Sequence, residues 1–195
     1  MRSLALGLLL VLFAGSALAQ ADPTLLAKLR HGGYVLYLRH ASADFRQNDE
    51  KMTSYDDCAS QRNLTDKGRG EARALGTEVK RLAIPIGPVY ASPFCRARET
   101  AQLAFGRYER TSEARGGPAN TNDPTRYEPL RKLLTSKPPS GKNAVISSHG
   151  NPYRAIVSGA YLQEGEAAII EPLPPNNFRI VARITKNDWA ALPAP

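Results

Sequence analysis

The runs YVLYL (residues 34–38) and NAVISSHG (143–150) constrain this chain most. Each is a short, nearly continuous apolar segment, the pattern of a strand covered on both faces. PVYAS (88–92) predicts a third strand. Helical spacing separates them. LTDKGRGEARALGTEVKRLA carries Thr65 as a cap and apolar residues at Ala72, Leu75, Val79 and Leu82. CRARETAQLAF predicts a second long helix, and PYRAIVSGAYL another, with Pro152 in its first turn. A short helix over about 23–30 should stop at Gly32 and Gly33, and residues 127–134 add one more. AAIIEPL and FRIVARI read as a closing antiparallel pair joined by the turn PPNN. Residues 42–62 and 107–125 lose periodicity and read as loops, the second with one strand at YERTSE. Strands that alternate with helices define an α/β class with a largely parallel central sheet.

The N-terminus stands apart from this pattern. Arg2, the apolar stretch from Leu4 to Phe13 and the small residues ALA at 17–19 form the three parts of a secretory signal. The apolar stretch is short of the roughly 20 residues a membrane span needs. Residues 1–19 are therefore read as a signal peptide and 20–195 as a single domain, periplasmic or secreted, with no stable membrane insertion after cleavage. The two cysteines, Cys58 and Cys95, form an even pair in a chain bound for an oxidising compartment, which predicts a disulfide. The formal charge of +8 suits anionic ligands. No basic helix interleaved with aromatics and no zinc-finger spacing is present, so nucleic acid is not the expected partner.

The polar residues fall where the strands end. Arg39 and His40 follow the first strand, Ser92 to Arg96 the second, and Ser148, His149 and Gly150 the third. Ligands of such sheets bind at the carboxyl ends of the strands. Arg39, Arg96, His40 and His149 are thus the candidates to meet around one anion. Arginines clamp phosphate by paired hydrogen bonds and keep their charge. A neutral imidazole can attack phosphorus when its other ring nitrogen is held. Phosphoryl transfer needs positioning and charge neutralisation above all, and the histidines lack a ligand pattern for a metal, so no metal or cofactor is expected. Among the remaining residues, His31 reads as a helix-end residue, Arg98 as solvated, Trp189 as packed on the sheet, and Arg62 as equally a surface residue or a pocket residue.

These residues also resemble the histidine phosphatase superfamily (phosphoglycerate mutase-like). LRHA resembles its Arg-His-Gly motif, ASPFCRARETA its Ser-Pro-x-x-Arg-Ala-x-x-Thr-Ala block, and ISSHG its second histidine motif, in the family's order. NLTDKGRGEA is similar to a helix start found in many members. The resemblance implies a three-layer α/β/α sandwich, His40 as the phosphorylated nucleophile, His149 as the second pocket histidine, and Arg39 and Arg96 as phosphate ligands. It implies a metal-independent phosphatase acting on phosphomonoesters through a phosphohistidine. Ala41 stands where the family usually has glycine, a change shared with phosphohistidine phosphatases and related small members. His149 is followed by Gly-Asn rather than Asp, unlike the acid phosphatase and phytase branch. A small exported member resembles the envelope heptose phosphatases, which points to phosphorylated small molecules or an envelope glycolipid as partners. The proton donor stays open among Glu113, Asp123, Glu128 and none. A phospho-ligand binding protein without catalysis is the alternative reading.

Overall fold

The computed structural model describes residues 23–117, 122–123, 125–157, 161–173 and 175–195. The proposed signal peptide lies outside the described residues. Helix α1 (Pro23–His31) ends at Gly32, whose φ of +83° is left-handed and whose absent β-carbon would lie 2.5 Å from the Lys142 backbone nitrogen. Strand β1 (Val35–Arg39) follows, then the long loop over 40–64, interrupted by a 3₁₀ turn at Cys58–Ser60. Helix α2 (Asp66–Arg81) opens where the Thr65 hydroxyl accepts from the Gly68 N–H at 3.0 Å. Then come β2 (Ile86–Ala91), α3 (Cys95–Phe105), β3 (Glu109–Arg110), α4 (Glu128–Thr135), β4 (Asn143–Ser148), α5 (Gly150–Val157), β5 (Ala167–Leu173) and β6 (Asn177–Ile184).

The six strands form one sheet in the order β3-β2-β4-β1-β5-β6. Pairings β1–β4, β2–β4 and β2–β3 are parallel, whereas β5 runs antiparallel to both β1 and β6. Successive side chains of β1 point to opposite faces. Leu36 and Leu38 face a core completed by Leu25 and Leu29 of α1, Val79 of α2, Ala101 of α3 and Trp189. Val35 and Tyr37 face a second core with Leu130 and Leu134 of α4 and Tyr153 of α5. The sheet is thus covered on both sides, which is the expected three-layer arrangement. Full burial of each such aliphatic side chain contributes about 1.5–3 kcal/mol, and that is why both faces of β1 are apolar. Helices α2 and α3 approach closely at Gly76, where a β-carbon would lie 2.1 Å from the Ala104 carbonyl oxygen.

Three elements differ from the sequence expectations. YERTSE yields only the two-residue β3 and a 3₁₀ turn, Ser112–Ala114, because the Thr111 hydroxyl accepts from the Glu113 N–H and bends the chain. Helix α5 is described over Gly150–Val157, with Pro152 as its third residue; residues 158–160 of the expected helix lie outside the described residues, and Tyr161 and Leu162 are not helical. Arg98 is not solvated: it bonds the Tyr55 carbonyl at 2.9 Å and Asp56 at 3.2 Å, both on the long loop.

Candidate active site

The register of β1 against β4 brings the two histidines together. Arg39 pairs with Ser148, so the chain leaves both strands at the same level, and the His40 N–H bonds the Ser148 carbonyl at 3.0 Å. The rings of His40 and His149 lie 5.4 Å apart at 66°. They are 1% and 5% exposed. Strand β2 delivers Ser92 to the same edge, where its hydroxyl lies 2.7 Å from Nε2 of His149. Helix α3 then begins at Cys95 and carries Arg96 inward. Thr100, one turn further on, donates to the Arg96 carbonyl at 2.7 Å and accepts from the Ala41 N–H at 3.1 Å. That threonine locks the segment after His40 to the helix that holds Arg96.

Nδ1 of His40 lies 2.9 Å from the Ala41 carbonyl oxygen. A carbonyl only accepts, so this contact requires the proton on Nδ1 and leaves the Nε2 lone pair free. Burial pushes the His40 pKa well below the ordinary histidine value, and the positive charge of Arg96 adds to that, while the bond to Ala41 opposes it. His149 is lowered for the same first reason, with Arg96 and then His40 contributing. Both rings are therefore neutral near pH 7. Ser148 and Tyr37 support the second strand end, since the buried Tyr37 hydroxyl lies 2.8 Å from Ser148 Oγ and from the His149 carbonyl.

Three guanidinium groups line the cavity of about 320 Å³ that these histidines share. Arg39 donates through Nη1 to the Leu162 carbonyl at 2.8 Å, and its Nη2 lies 3.5 Å from Glu164. Arg96 donates through Nη1 to Asp49 at 3.0 Å and to the Arg62 carbonyl at 3.3 Å. Arg62 stacks on the exposed ring of Phe45, 4.9 Å from its centre. Among the described residues, the Nε atoms of Arg39, Arg62 and Arg96 are all buried without a hydrogen-bond partner. One orphaned buried donor is costly. Arg98 and Arg126, which do not line the cavity, carry the same orphaned atom, so what marks this cavity is the three guanidinium charges on its lining. A larger open cleft of about 780 Å³ flanks the disulfide, but no histidine lines it.

The Cys58–Cys95 disulfide is present, with the two Cα atoms 5.7 Å apart. It fixes the loop that brings Asp49 and Arg62 to the residue next to Arg96. The structure thus gathers Arg39, His40, Arg96 and His149, and resolves Arg62 as a pocket residue. None of the three carboxylates weighed from sequence lines the cavity. Glu113 is exposed on its 3₁₀ turn, Asp123 accepts from Thr125, and Glu128 faces Arg131 at 3.9 Å. Two other carboxylates approach the site instead. Glu164 lies beside Arg39 and 4.0 Å from Nδ1 of His40, and Asp49 lines the cavity itself. Both sit on loops without periodicity, and neither lies in a motif that singles it out.

Comparison with known proteins agrees with this geometry. The family model described as histidine phosphatase superfamily (branch 1) matches residues 35–117, which include Arg39, His40 and Arg96 but not His149. A comparison with curated proteins finds no match. Among solved structures, the protein histidine phosphatase SixA complexed with tungstate is 17% identical, with 80% of this chain and 98% of that one covered at a TM-score of 0.56. A candidate phosphohistidine phosphatase SixA from Agrobacterium tumefaciens is 16% identical, covering 78% and 98% at 0.55. A phosphoserine phosphatase variant from Entamoeba histolytica, in complex with phosphoserine, is 13% identical, covering 77% and 95% at 0.54. These likenesses establish the shared fold. Over residues 35–117 the chain is similar to the histidine phosphatase superfamily, and it shares the fold of these phosphatases.

Proposed function

We propose that this protein is an exported, metal-independent phosphatase that hydrolyses phosphomonoesters, envelope sugar phosphates among them, through a phosphohistidine on His40. The observation that carries the proposal is one cavity lined by three guanidinium groups and by His40, whose Nδ1 is held by the Ala41 carbonyl. Nε2 of His40 attacks phosphorus. Arg39, Arg62 and Arg96 hold the phosphoryl oxygens and offset the charge that a cation would otherwise neutralise. His149, fixed by Ser92, faces the same oxygens. Tyr161 lines the mouth and offers an aromatic surface to a sugar ring. Export is supported by the signal pattern and by the Cys58–Cys95 bridge, and no helix among the described residues is long and apolar enough to cross a membrane.

The test is phosphate release from an aryl phosphate by the mature protein. His40→Ala should abolish it, orthovanadate should inhibit it, and EDTA should leave it unchanged. Wild-type rates in His40→Ala would remove the mechanism, and loss of activity in EDTA would point to a metallohydrolase. Tight phosphate binding without turnover on any ester would select the non-catalytic binding protein.

A further inference from the structure

We infer that Asp49 is the proton donor to the leaving group, an assignment that rests on the phosphatase reading above. Of the carboxylates near the two histidines, Asp49 lines the cavity and keeps 28% of its side chain exposed, so it borders both the phosphoryl site and solvent. Its two oxygens are unequal. Oδ1 accepts from the Arg62 N–H at 2.9 Å and from Nη1 of Arg96 at 3.0 Å. Oδ2 has no hydrogen bond among the described residues. A carboxyl anchored through one oxygen and open at the other can present a proton to a bridging ester oxygen.

Charge supplies the second argument. The cavity gathers three guanidinium groups against Asp49 and Glu164, a balance of about one positive charge with both histidines neutral. A phosphomonoester dianion entering this site turns that balance negative. Its oxygens also compete with Asp49 for Nη1 of Arg96. A dianion and one proton entering together bring the balance to about zero. Glu164 does not fill the donor role: it lies toward Nδ1 of His40, on the ring side away from the attacking nitrogen, and its Oε2 accepts from the Ala43 N–H at 3.3 Å.

The step balances as follows. The Nε2 lone pair of His40 forms the N–P bond as the bond from phosphorus to the ester oxygen breaks. The electron pair leaves on that oxygen, which takes the proton of Asp49 and departs as an alcohol. In the second half, the Asp49 carboxylate takes a proton from a water as it attacks phosphorus. The N–P bond breaks, its electron pair returns to Nε2, and inorganic phosphate is released.

A proton donor matters most when the leaving group is poor, and general acid catalysis contributes about 10²–10⁴-fold. The experiment compares an alkyl phosphate with 4-nitrophenyl phosphate in wild type, Asp49→Asn and Asp49→Glu. Orthovanadate affinity is measured on each variant to report the integrity of the phosphoryl site. Asp49→Asn should slow the alkyl ester on the order of 100-fold or more and the nitrophenyl ester less than about tenfold. Asp49→Glu should recover part of the alkyl rate. Equal slowing of both esters would overturn the assignment and leave Asp49 as a positioning residue for Arg96, with the phosphatase reading intact. Wild-type protein that turns over neither ester would overturn both.

Discussion

The two buried histidines should make this protein acid-sensitive well above the range where carboxylates titrate. In the folded chain, burial and then Arg96 hold both pKa values well below the ordinary value. In the unfolded chain each returns to about 6.5. Below that pH the unfolded state binds protons that the folded state refuses, so stability falls as pH falls. Each histidine that stays neutral in the folded state costs about 1.4 kcal/mol at pH 5.5 relative to pH 8, or about 3 kcal/mol for the pair. Asp57, Glu71 and Asp123 are held below the usual carboxylate range, and their stabilisation is lost only as pH falls through and below about 4. The window from pH 8 to 5.5 therefore isolates the imidazoles. Urea unfolding in buffers free of phosphate measures the effect. At a slope of about 2 kcal/mol per molar, the midpoint should drop by about 1.5 M across that window. NMR of the ring nitrogens should show His40 and His149 neutral throughout. A midpoint that stays flat, or rises on acidification, would refute the claim that these rings are buried and uncharged.

Two further outcomes follow from the packing. Cys58→Ser should cost up to about 4 kcal/mol, the loop-closure value for a bridge that spans 37 positions, and should raise KM because the loop holding Asp49 and Arg62 loosens; unchanged urea midpoints would contradict it. Gly76→Ala and Gly70→Ala should move Tm in opposite directions. A β-carbon at Gly76 meets the Ala104 carbonyl at 2.1 Å and should cost about 1–3 kcal/mol, whereas Gly70 has open space and should gain up to about 1 kcal/mol. Stabilisation by both would mean that α2 and α3 do not approach as described.

Much of this architecture is legible in the sequence because it follows local rules. Unbroken apolar runs mark β1 and β4, buried from both sides, and the spacing of Ala72, Leu75 and Val79 marks the inner face of α2. Helix α3 starts and stops where its periodicity does, with Gly106 closing it in the left-handed region. The histidines are legible because each sits one residue beyond such a strand. What the sequence does not carry is the register that sets Arg39 beside Ser148, since parallel strands pair over a distance that no local pattern encodes. Asp49 and Glu164 escape for a related reason. A loop residue shows no period, and only the folded path of residues 40–64 brings Asp49 to Arg96. Arg98 misleads in the opposite sense: its position two residues past Arg96 suggests solvent, yet the disulfide draws the long loop over it.

The central claim is that Nε2 of His40 forms a bond to phosphorus, and the phosphoenzyme tests it most directly. Wild-type protein mixed with 4-nitrophenyl phosphate, stopped within the first turnover by alkaline denaturant and digested, should carry one phosphoryl group on the peptide containing His40. The label should be lost in acid, kept in base, and absent from His40→Ala. Turnover with no phosphorylated peptide, or with the label on a serine or on the peptide of His149, would contradict the account.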